Sequence, residues 1–151
     1  MIVEVSTAKG RLCRDILVGL PDWFGLPESI EDYACNVERM TMFAYLVDVV
    51  PVGFIAIERH YPHVAEAYVL GVQRAFHRQG IGKALFDHAI RMLRQQGVRY
   101  FTVKTLAEQR ANKAYAGTRR FYDAMGFVPI EVFPTLWGRE NPCLMMLKAL
   151  Q

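Results

Sequence analysis

The chain has 151 residues, 52% of them hydrophobic and 22% charged, which is enough for one domain to bury a core without metals or disulfides. Its three cysteines, Cys13, Cys35 and Cys143, are odd in number and lack a Cys-x-x-Cys spacing, and the first residues lack the basic-then-apolar layout of a signal peptide, so a reducing cytoplasm is expected. The net charge of +3 hides an asymmetry: Arg74 to Arg120 carries eleven Lys or Arg against Asp87 and Glu108, while the rest of the chain is acidic.

Repeats, low-complexity tracts and polar linkers are absent, so residues 1–151 read as one continuous unit. From Gly10 to Val37 the pattern predicts two short helices, broken where proline and glycine punctuate Leu20 to Pro27. Three segments rich in β-branched and aromatic residues follow, Thr41–Val47, Val52–Glu58 and Ala65–Val72, with turns over Asp48–Pro51 and Arg59–Pro62. They predict an antiparallel meander. The longest strongly apolar uncharged stretch, Val49 to Ile57, is far shorter than the roughly 20 residues that a membrane span requires.

After Val72 the period changes from two to 3.6. Ile81, Leu85, Ala89 and Met92 form one stripe, Phe86, Ile90 and Leu93 flank it, and Asp87 is expected to pair with Arg91 on the outer face. Gly97 marks the stop. A strand is expected over Arg99–Leu106. A helix over about Asn112–Met125 follows, ending at Gly126, with Gly117 inside it as a reason to expect a later start. Strands over Phe127–Phe133 and Cys143–Lys148 enclose a long loop. The order implies an α/β or α+β fold, with the helix after Gly80 as a βαβ crossover.

The junction between strand and helix carries the strongest chemical signal. In Arg78-Gln79-Gly80-Ile81-Gly82-Lys83, two glycines open a helix whose first backbone N–H groups lack intrahelical partners, an arrangement suited to a phosphate. A dinucleotide fingerprint needs a third glycine where Leu85 stands. A Walker A loop needs glycine at His77 and Ser or Thr at Ala84. Both readings fail.

The remaining Gly-x-Gly turn resembles the pyrophosphate loop of the GNAT superfamily of acyl-CoA-dependent N-acyltransferases, with His77 in place of the usual first Gln or Arg. Ala65–Val72 resembles the family's fourth strand, whose backbone binds the pantetheine arm, and Gly71 suggests a bulge or a close ligand approach there. Thr118–Phe127 resembles the Phe-Tyr-x-x-x-Gly-Phe segment, which assigns Tyr122 to the thioester sulfur. Glu66 stands fourteen residues before Gly80, where several members keep a catalytic glutamate. Tyr115 replaces a common asparagine.

The resemblance implies a GNAT-like, mainly antiparallel sheet of six to seven strands with about four helices. It implies acetyl transfer from acetyl-CoA, as co-substrate, to a primary amine. Leu70, Gly71, Val72, His77, Arg78, Gln79, Gly80, Ile81, Gly82, Lys83 and Tyr122 are the expected cofactor contacts. Glu66 is the expected base, accepting the ammonium proton through water, and Tyr122 the expected acid at the leaving thiolate. Trp23, Phe24, Tyr33 and Trp137 are expected at the acceptor. Asp22, Glu28, Glu31, Asp32 and Glu140 lie near them in sequence, which suggests a cationic small molecule or a peptide as the acceptor.

His60, His63, His77 and His88 show no metal-ligand spacing, so no metal is expected. No nucleic-acid motif accompanies the basic window, so neither nucleic acid nor membrane is an expected partner, and a homodimer is left open. The alternative is a non-catalytic acyl-CoA sensor or interaction module.

Overall fold

A computed structural model describes residues 1–151. β1 (Ile2–Val5), α1 (Lys9–Leu17) and α2 (Pro27–Asn36) are followed by the hairpin strands β2 (Thr41–Val47), β3 (Val50–Tyr61) and β4 (Val64–Val72). Then come α3 (Ile81–Gln95), β5 (Tyr100–Leu106), α4 (Lys113–Ala124), β6 (Val128–Phe133) and β7 (Cys143–Ala149). The seven strands form one sheet in the order β1-β2-β3-β4-β5-β7-β6, with every pair antiparallel except β4 and β5. No helix is long and apolar enough to cross a membrane.

Strand alternation sends side chains to two cores. On one face α1 and α2 cover Met42, Phe54, Ala56 and Val69 with Cys13, Ile16 and Leu17. On the other, Phe43, Ile55, Ala67, Phe101 and Val103 meet the stripe Ile81, Leu85, Phe86, Ala89, Ile90 and Leu93 of α3. Phe86 sits at the centre of this second core, its ring 5.7–5.9 Å from those of Phe101, Phe121, Tyr122 and Phe127. Burying such a ring stabilises the fold by several kcal/mol, since its removal typically costs about 3–5 kcal/mol.

Five expectations are corrected. The turn expected over Arg59–Pro62 tightens to Pro62 and His63, because Arg59 and Tyr61 stay in β3, paired with Ala65 and Val64. The edge strand β1 was not anticipated. Asp87 pairs with Lys83 at 2.7 Å rather than with Arg91, although each lies one turn away on the same helix face. The helix α4 includes Gly117 and starts at Lys113, since Asn112 caps it by accepting from the Tyr115 backbone N–H at 3.1 Å. The bulge in β4 lies at Tyr68, where Ala56 faces Val69 but Ile57 faces Ala67, and Gly71 pairs in register with Phe54. The reason for glycine at 71 is packing: a Cβ there would lie 3.1–3.2 Å from Leu17, Phe54 and Ile16, so the bare backbone lets α1 seat on the sheet.

Candidate active site

The parallel pair at the centre of the sheet opens into a cleft. β4 and β5 are in register only over Val64–Glu66 with Tyr100–Thr102, and beyond that each keeps only its outer neighbour, β3 or β7. The inner edge of β4 from Ala67 to Val72 thus presents backbone N–H and C=O groups that no strand satisfies. A cavity of about 790 Å³ occupies the cleft, bounded by β4, the start of α3, α4 and the segment between α1 and α2.

One end of the cavity is electropositive. Arg78 (φ 60°) and Gly80 (φ 80°) take left-handed conformations and turn the chain into α3, with Gly80 at the N-cap. No side chain caps the helix and its first turn has no acid, so the amides of Ile81, Gly82 and Lys83 face outward unneutralised. A Cβ at Gly82 would make only ordinary contact with Phe121, at 3.4 Å, so packing does not require glycine there. The bare position instead leaves the amides open to a group outside the chain. Arg78, Lys83 and Arg120 add positive side chains to this wall, while Gln79 stays off it.

His77 turns inward: its Nε2 lies 2.6 Å from the Val72 carbonyl oxygen, which only accepts, so Nε2 carries the proton. Its ring packs edge-on against Trp23 at 5.7 Å.

The opposite end is aromatic. Tyr33 lies 5.6 Å from Phe24 and 5.3 Å from Tyr68, ring to ring, and Trp137 joins the wall. Trp23 straps this end across the cleft to α4, donating from Nε1 to Thr118 Oγ1 at 3.0 Å and accepting at its carbonyl from the Tyr115 hydroxyl at 2.8 Å. Leu70, Gly71, Val72 and Ile81 complete the lining that sequence reasoning had named.

Tyr122 projects from α4 into the same space and is 8% exposed. Burial, with a smaller push from Tyr115, raises its pKa well above the usual phenol range, so the hydroxyl stays a proton donor at neutral pH. Burial also raises Tyr33, and brings Tyr115 to about 12. Thr105 Oγ1, on the β5 side of the wall, is buried without a hydrogen-bond partner, which marks a place where a ligand's polar group can be satisfied.

Glu66 lies one layer behind the wall. Both of its oxygens accept from Lys104 Nζ, at 3.0 and 3.1 Å, and Oε1 lies 2.8 Å from His60 Nε2; the group that reaches the cavity is Lys104. Glu58, His60 and Glu66 bring ligand-type atoms within 4.8 Å of one another, yet Arg39 and Lys104 already sit on the two carboxylates. Sequence reasoning missed Lys104, Thr105 and Tyr68. The alternation of β5 puts Lys104 on one face with Thr102, but its meeting with Glu66 depends on the parallel register.

Residues 14–127 match the family model described as acetyltransferase (GNAT) family. The chain belongs to the GNAT acetyltransferase family. Solved structures agree in fold along the whole chain. A GNAT-family protein from Desulfovibrio desulfuricans superposes with a TM-score of 0.83 at 17% identity, covering 100% of both chains. An aminoglycoside 6′-N-acetyltransferase complexed with coenzyme A gives 0.79 at 18%, covering 100% of this chain and 97% of that one. The ribosomal-protein-S18-alanine N-acetyltransferase from Escherichia coli gives 0.74 at 22%, covering 100% and 95%. No curated protein matches the sequence. At these identities the likeness is one of GNAT fold.

Proposed function

We propose that this protein is an N-acetyltransferase that moves an acetyl group from acetyl-CoA to a primary amine by direct attack within a ternary complex. The observation that carries the reading is the uncapped start of α3, with Gly80 and Gly82 bare and Arg78 and Lys83 beside it, opening into a cleft whose β4 edge is unpaired. The cleft residues fit the co-substrate. Amides of residues 81–83 would hold its pyrophosphate, the free edge of β4 its amide-bearing arm, and Thr105 Oγ1 offers a further polar contact. Acetyl-CoA supplies the thioester that the amine attacks.

Charge that develops on the thioester oxygen is met by N–H groups along the open β4 edge, near the bulge at Tyr68. Tyr122, protonated at neutral pH, donates to the departing thiolate. Glu66 holds Lys104 at the wall and reaches the amine's proton only through water. A lysine-like ammonium is neutral only about once in 2,500 molecules at pH 7, so the proton route matters most for strongly basic acceptors.

Thiol release from acetyl-CoA, measured against a panel of amines and coupled to mass detection of the acetylated product, tests the reading. Acetyl-CoA hydrolysis without acetylated amine, or tight acetyl-CoA binding with no acyl transfer to any amine, would leave a cofactor-binding module instead.

A further inference from the structure

The wall of the cavity restricts what the acceptor can be. It contains no aspartate or glutamate. The carboxylates that suggested a cationic acceptor lie elsewhere: Asp22 pairs with Arg74 at 2.9 Å, Glu31 pairs with Arg14 at 2.7 Å, and Glu28, Asp32 and Glu140 stay off the wall. Glu66 is nearly sealed from solvent behind Lys104. Four cations line the wall: Arg78 and Lys83 flank the start of α3, Arg120 lies on α4, and Lys104, on β5, is held on Glu66 at 3.0 Å.

An acceptor carrying several positive charges would leave water for a wall with no free carboxylate, since the nearest one, Glu66, is already neutralised by Lys104. The rings do not replace the missing carboxylates. Phe24, Tyr33 and Tyr68 pack edge-on or tilted against one another in a row rather than as a cage around a point charge. Ring attraction for an ammonium would also favour the protonated amine, which cannot attack, and binding the unreactive form does not speed transfer. With no carboxylate on the wall to take a proton, an amine already partly neutral has the advantage.

Resting on the acetyl-transfer reading above, we propose that the acceptor is a weakly basic amine attached to an aromatic group and free of further cations, of the type of an α-amine on an aromatic residue. Such an amine, of pKa near 7.7–8, is neutral in about one molecule in eight at pH 7, a several-hundredfold advantage over a lysine-like amine.

The test compares kcat/KM at pH 7 for phenylalaninamide, spermidine and an aminoglycoside, with acetyl-CoA binding followed separately by calorimetry. Phenylalaninamide is expected to exceed both polycations by tenfold or more. Lys104→Gln, which keeps a donor for Glu66, is expected to narrow that ratio, and an unchanged ratio would overturn the part given to Lys104. Equal or faster acetylation of either polycation overturns the acceptor class while leaving acetyl transfer standing. So does binding of acetyl-CoA without turnover of phenylalaninamide. Failure to bind acetyl-CoA removes the acetyl-transfer reading itself, and the acceptor class with it.

Discussion

Replacing Gly82 with aspartate separates ligand binding from folding, because the two respond with opposite sign. A Cβ at this second position of α3 meets only Phe121 at 3.4 Å, so the side chain fits. A carboxylate in a first turn that has no acid of its own improves the helix by about 0.3–1 kcal/mol through the dipole. The same carboxylate faces a bound pyrophosphate. At about 5 Å and an effective dielectric of about 20, each phosphate charge repels it by about 3 kcal/mol, and discounting the pair by half for solvent leaves about 3 kcal/mol. Affinity for CoA should fall by about a hundredfold or more. Calorimetry with CoA reads the affinity, and a thermal melt of the free protein reads the stability. A Gly82→Asp protein that melts at or above the wild-type temperature and still binds CoA within threefold would refute the phosphate site, since fold and charge would both be as intended.

Tyr122→Phe should lower turnover by about 10²–10⁴-fold with CoA affinity nearly unchanged, because the ring still packs against Phe86 and Phe127; turnover within threefold of wild type makes it a packing residue. Gly71→Ala should destabilise by about 1–3 kcal/mol in urea unfolding, since its methyl group overpacks Leu17, Phe54 and Ile16, and an unchanged midpoint would show that α1 gives way freely. Burial pushes the thiols of Cys13 and Cys143 up to about 12 and about 11, so both stay neutral and unreactive at pH 8. Iodoacetamide should therefore label only the exposed Cys35 in the folded protein and all three after denaturation, as mass spectrometry would read directly.

Local pattern was enough to place most of the elements. The 3.6-residue stripe from Ile81 to Leu93 and the apolar runs of β2 and β4 announce themselves because a single period persists across them. The glycine turn is legible for the same reason, since uncapped amides at a helix start are a property of a few adjacent residues. Local pattern failed where partners decide. Ile2–Val5 becomes a strand only because β2 offers it an edge, and the β2–β3 turn tightens onto Asp48 and Val49, both at positive φ, because strand pairing on either side outweighs the unfavourable backbone of a valine there. Trp23 on Thr118 and Lys104 on Glu66 join residues 95 and 38 positions apart. Those contacts form only once β4 and β5 have paired at Val64–Glu66 and then parted. Sequence alone singled out the glycine turn and Tyr122, and both line the cavity. Which charges line the cavity was decided by the splay of two strands, because a side chain's exposure depends on what the rest of the chain packs against it.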